Sequence, residues 1–312
     1  YKYKFITNSL GFKDKLNREI PDQTNLKKRI IIIGDSFTEG IGYRYEDTFV
    51  GHIDEQMKKN NIEILNAGVA SQSPIIYYKK IKYLIQEMKL NFNELVIFLD
   101  ISDIPDEFYY NKNFDNDHIK KFNLRDYLQE LLIQNISTYL FIDIILEKIN
   151  ILKENIILRY KTSQEFKLSF YKTTIKDINL FKSINVERGN WTRDNKSWNL
   201  HGKKGRKLAT FYLNQLYNLC KNNNIKLSLV IYPWPSQIYY AHSPSIHRNY
   251  WNKWSRSKNV YFIDLFKYFE NDQPKITIEK FFIDGDIHWN KEGHLYIYDK
   301  FMSEYPKKNI IN

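Results

Sequence analysis

The chain predicts a three-layer α/β fold: a five-stranded parallel sheet of the doubly wound, flavodoxin-like kind, within a single domain over residues 1–312. Three observations carry that expectation. Five short β-type runs, residues 29–33, 62–66, 95–100, 226–232 and 260–265, are apolar nearly throughout, as befits parallel strands covered on both faces. Helical patterns separate them, giving a βαβαβ order. A serine flanked by small residues follows the first run, at the strand edge where open α/β sheets bind ligands.

The elements follow in order. Residues 1–28, with Asn8-Ser9-Leu10-Gly11-Phe12, read as an extended lead-in packed on the domain. Arg29-Ile30-Ile31-Ile32-Ile33 is the first strand. Phe49, Val50, Ile53 and Met57 share one helical face, residues 75–88 read similarly, and residues 204–221 supply the crossover before the fourth strand. More than one helix's worth of chain separates the third and fourth strands, so residues 104–205 are expected to be an insertion. Residues 124–158 within it read as two helices, and the polar stretch 183–205, with Gly189, Trp191 and Trp198, as a long loop. Asn290 caps a last helix whose face includes Leu295, Ile297 and Phe301.

With 43% hydrophobic and 16% aromatic residues the chain has ample material for a core. Its longest charge-free apolar stretch, residues 131–142, is too short to cross a bilayer. Forty-seven Lys and Arg against 36 Asp and Glu give +11, but the lysines are scattered and no recognised nucleic-acid motif accompanies them, so no nucleic-acid partner is expected. The lone Cys220 excludes an internal disulfide and reads as a buried helix residue. Because the sequence starts at Tyr1 rather than methionine, a preceding signal or membrane anchor and an extracytoplasmic or membrane-anchored location are expected.

The chemistry-bearing residues lie far apart. Gly34-Asp35-Ser36-Phe37-Thr38-Glu39-Gly40 puts a hydroxyl at the end of the first strand, in the role of nucleophile. A serine needs a base, and a base needs an orienting acid. Asp284-Gly285-Asp286-Ile287-His288-Trp289 supplies both near the C-terminus, with Asp286 the expected orienter and Asp284 the reserve. His294 reads as structural. Trp234, in Tyr232-Pro233-Trp234-Pro235 after the fourth strand, joins Trp191 and Trp198 as an expected sugar-facing aromatic surface. The remaining histidines are dispersed, and neither a metal nor a cofactor is expected.

These blocks resemble the SGNH (GDSL) hydrolase family over most of residues 29–304 outside the insertion. Gly34-Asp35-Ser36 resembles its first block, and Asn66-Ala67-Gly68-Val69-Ala70 its glycine block. Asp100-Ile101-Ser102-Asp103 stands where the family has Gly-x-Asn-Asp, so Ser102 replaces an asparagine. Asp286-Ile287-His288-Trp289 is similar to the Asp-x-His-Trp block of polysaccharide-locus esterases and O-acetyltransferases. The resemblance implies a triad of Ser36, Asp286 and His288. It implies an oxyanion site from the N–H groups of Ser36 and Gly68 with the Ser102 hydroxyl. It also implies removal of O-acyl groups, O-acetyl foremost, from a carbohydrate or related ester. Two alternatives stand beside it: O-acetyl transfer to a polysaccharide hydroxyl, and a degenerate carbohydrate-binding or assembly protein, the latter motivated by Ser102 and the long insertion.

Overall fold

In a computed structural model, residues 3–114, 175–240, 246–271 and 273–305 are described. Five strands, β1 (Lys28–Gly34), β2 (Ile62–Asn66), β3 (Glu94–Leu99), β4 (Lys226–Ile231) and β5 (Tyr261–Asp264), pair in the order β2-β1-β3-β4-β5, every pair parallel. This is the flavodoxin-like order, and it bears out the expected fold class. Helices cover both faces. α2 (Phe49–Lys58) packs with α10 (Lys291–Glu304), and α3 (Pro74–Gln86) with α6 (Lys203–Asn222), while α8 (Ile246–Lys258) lies against β5. Right-handed crossovers from a sheet that reverses direction at β1 and β3 require that division.

The strands are apolar throughout because both faces are covered. All of β2 and β3 is buried, and β1 is buried from Arg29 onward. Each helix on this core presents one apolar stripe, such as Ala209, Leu213, Leu216 and Cys220 on α6. Burial pushes the Cys220 thiol up to about 12, so it is an inert packing residue.

By contact the chain forms two compact units, Tyr1–Lys112 with Asn179–Asn312, and Asn113–Ile178. The helices expected over residues 124–158 lie outside the described residues. Residues 183–205, expected as a loop, are instead a succession of short helical turns: a 3₁₀ turn (Glu187–Thr192), a helical turn (Asn195–Ser197) and a π turn (Trp198–Gly202) leading into α6. The stretch looks polar because only a few of its residues face inward, among them Gly189, Trp191, His201 and Gly202.

The lead-in is tied down. Lys13 is almost fully buried, and its Nζ donates to the carbonyl oxygens of Gly40 (2.8 Å) and Tyr43 (2.7 Å), just past the serine turn. Burial lowers the Lys13 ammonium to about 8. Among the described residues, no helix is long and apolar enough to cross a membrane.

Candidate active site

β1 runs straight into α1 (Ser36–Glu39), a single helical turn. Gly34 permits it, since a Cβ there would lie 2.2 Å from Thr38 Oγ1 and 2.8 Å from the Phe98 carbonyl oxygen. Asp35 caps the turn, its Oδ1 accepting from Phe37 N at 3.0 Å, and Gly40 closes it at φ +75°. Ser36 is left half-buried at the carboxyl edge of the sheet.

His288 comes from 252 residues away. Its Nε2 lies 2.8 Å from Ser36 Oγ, and its Nδ1 2.7 Å from Asp286 Oδ1. The same Oδ1 accepts from the backbone N–H groups of Ile287 (2.6 Å) and His288 (3.1 Å), so the carboxylate is fixed by its own turn. Gly285, at φ +76°, starts that turn. Trp289 anchors it, buried against Phe37, Tyr232 and Phe49 with ring centroids 4.8, 4.8 and 5.5 Å apart. Asp284, the reserve acid, points elsewhere and accepts from Asn179 Nδ2 at 2.7 Å. Asn290 caps α10 as expected, accepting from Gly293 N at 2.9 Å. His294 is buried and accepts from Phe49 N at 3.3 Å, and burial lowers its imidazole to about 3.

The expected oxyanion site is placed differently. Gly68 N–H donates to Asn66 Oδ1 at 3.0 Å. A Cβ at Gly68 would come within 2.7 Å of Glu39 N and 2.8 Å of two Thr38 atoms, so glycine is needed there for close packing on α1. The Ser102 hydroxyl is buried and donates to Asp100 Oδ2 at 2.6 Å, and Ser102 N–H donates to the same oxygen at 3.0 Å. Of the three expected donors, only Ser36 N–H has no other acceptor among the described residues.

The aromatic surface is also corrected. Trp234 is 1% exposed and donates through Nε1 to Asp100 Oδ1 at 2.6 Å. Trp191 is 0% exposed and donates to the Ile101 carbonyl oxygen at 2.9 Å. Trp198 is half-buried, stacked 6.1 Å from Trp191 under the Arg206 guanidinium. Trp191 and Trp234 fill the core behind the sheet edge with their indole N–H groups on acceptors, so neither offers a ring face to a substrate; Trp198 remains partly exposed.

A group the sequence reading passed over lies directly behind Ser36. Asp35, Asp100 and Asp103 are buried, with one oxygen of each within 4.8 Å of the others. That spacing could hold a cation, but these carboxyls already receive N–H and O–H groups from Phe37, Tyr232, Trp234, Ser102, Tyr77 and Asp100. Burial, then the neighbouring charges, holds Asp35 and Asp103 well above the ordinary carboxylate range. On the first turn of α4 (Asp103–Phe114), Asp106 pairs with Arg188; burial still raises its carboxyl to about 6. Asp100 in the position of a glycine was the available signal, because an acid at a strand end beside Asp35 needs a partner.

Fold and site together define a doubly wound α/β scaffold with a serine, histidine and carboxylate in relay at the carboxyl edge of the sheet. No family model and no curated protein matches the chain. Solved structures similar to it include an acetyl xylan esterase, at 14% identity and TM-score 0.45, covering 89% of this chain and 100% of that one. The esterase EstA from Pseudoalteromonas sp. is similar at 11% identity and TM-score 0.46, with 92% and 100% covered. A GDSL-like lipase from Bacteroides thetaiotaomicron is similar at 12% identity and TM-score 0.40, with 93% and 91% covered. Likeness at this level adds no argument to the geometry.

Proposed function

We propose that the protein is a serine ester hydrolase of SGNH type that removes small O-acyl groups, O-acetyl foremost, from a carbohydrate or related ester. The observation that carries this reading is the relay Asp286–His288–Ser36, with both links at hydrogen-bond length and the serine half-buried at a sheet edge. His288 Nε2 takes the Ser36 proton as Oγ attacks the ester carbonyl, and Asp286 holds the proton on Nδ1 and steadies the imidazolium. The Ser36 N–H, at the start of α1, receives the developing oxyanion. The imidazolium then protonates the leaving alcohol, and water, deprotonated by the same ring, releases the acid and restores Ser36.

The acetyl and carbohydrate part of the proposal rests on the likeness of Asp286-Ile287-His288-Trp289 to the block of polysaccharide-locus enzymes. The corrected placement of Trp191 and Trp234 removes those two rings from its support. The test is turnover of p-nitrophenyl acetate and of an acetylated oligosaccharide by the chain and by Ser36→Ala, alongside labelling with a fluorophosphonate. Turnover and labelling that both vanish in Ser36→Ala are expected. Equal rates for the two proteins, with no labelling, would dismiss the hydrolase reading.

A further inference from the structure

Ser36 has one hydroxyl proton and two acceptors within reach: His288 Nε2 at 2.8 Å and Asp35 Oδ2 at 3.2 Å. Only a proton directed at the imidazole serves nucleophilic attack. An ionised Asp35 would compete for it, because a carboxylate is the stronger, charge-assisted acceptor.

The surroundings decide which carboxyl carries the charge. Asp100 receives three donors, Trp234 Nε1 and Ser102 Oγ at 2.6 Å each and Ser102 N–H at 3.0 Å. Asp35 receives Phe37 N–H at 3.0 Å and the Tyr232 hydroxyl at a long 3.3 Å, both on Oδ1. Asp103 receives the Tyr77 hydroxyl, 3.0–3.1 Å from its two oxygens, and Asp100 N–H at 3.0 Å. The cation bearing on Asp35 and Asp100 is Arg188, which is already paired with Asp106. Three buried carboxylates this close, facing one engaged guanidinium among the described residues, cannot all be ionised.

We propose that Asp35 is a neutral carboxylic acid in the working protein, its O–H donated to ionised Asp100, and that it acts as a positioning residue by removing the rival acceptor of the Ser36 proton. This rests on Ser36 being the nucleophile. The direction in which burial and the Asp100 charge push Asp35 agrees with it. During attack the Asp35 proton stays in place, the Ser36 proton passes to His288, and the carboxyl in contact with Ser36 brings no charge to the forming oxyanion. Asp100 thus has a role that glycine in its place could not fill.

Infrared difference spectra between the chain and Asp35→Asn test the protonation directly and need no turnover. A protonated-carboxyl C=O band that is present in the chain, absent in Asp35→Asn and lost on alkaline titration is expected. That loss should track the alkaline fall in kcat/KM for p-nitrophenyl acetate. Asp100→Asn, which removes the neighbouring charge, should move that fall lower by about one pH unit or more. A purely structural loss would lower the rate at every pH without moving the limb. No band assignable to Asp35, or an unmoved limb in Asp100→Asn, overturns the proposal. Fluorophosphonate labelling of Ser36 reports separately on the hydrolase reading.

Discussion

Asp286→Asn separates two things that the acid does. In many serine triads the amide substitution turns its NH2 toward the imidazole, forces the wrong tautomer and costs roughly 10⁴ in rate. Here Oδ1 faces three donors at once, His288 Nδ1 and the backbone N–H groups of Ile287 and His288. An amide nitrogen in that place would set donor against two fixed donors, so the Asn carbonyl oxygen occupies it and the tautomer survives. What disappears is the charge: a neutral acceptor forfeits about half of a charge-assisted bond and part of the imidazolium's stabilisation, together about 2–3 kcal/mol. The expected loss in kcat/KM for p-nitrophenyl acetate is therefore about 30- to 150-fold. His288→Ala is the reference for complete loss of the base. A drop of about 10⁴, level with His288→Ala, would refute the pinned-oxygen argument. A drop below about threefold would refute the role of Asp286 altogether.

Three further outcomes are expected. Gly68→Ala places a Cβ 2.7 Å from Glu39 N, which displaces α1 and lowers kcat/KM by about 100-fold, the scale of a 1 Å misplacement; wild-type kinetics would show that α1 tolerates the intrusion. Ser102→Ala lowers kcat by less than about tenfold, since the hydroxyl serves Asp100, whereas a loss of about 10²–10³ would restore it as an oxyanion donor. Buried Glu107, whose Oε2 accepts from Ser73 Oγ and Ile75 N, is pushed up to about 7, chiefly by burial. Its folded pKa is raised, so its contribution to stability is full below about 4.5 and disappears as pH rises through about 7, an amount of about 3 kcal/mol. Urea melts at pH 5 and 8 should show that slope in the chain and not in Glu107→Gln; equal slopes would contradict it.

The sheet was legible because its strands are covered on both faces and so read as unbroken apolar runs, each found within a residue or two of its place. Ser36 and His288 were legible because each sits in a turn whose chemistry is local: a strand end followed by a capped helical turn, and an Asp-initiated turn before a capped helix. Less legible was anything set by which way a polar group faces. Trp234 and Ser102 occupy the expected sheet edge, yet both turn inward to Asp100, and nothing in their spacing distinguishes an indole that meets solvent from one that meets a buried acid. The Gly68 N–H was lost to the reading for the same reason, since its acceptor is a side chain two residues before it. Residues 183–205 were misread because helical turns with few inward residues carry no periodic apolar stripe.

The bond between Ser36 and His288 joins positions 252 apart, one just after β1 and one after β5. A ribosome must therefore release every residue between them before the hydroxyl meets its imidazole, and Ser36 stays without that partner until the turn before α10 docks. On the proposed reading, a cut after β5 that let the Asp286–His288 turn drift would silence Ser36 while leaving all five strands in place.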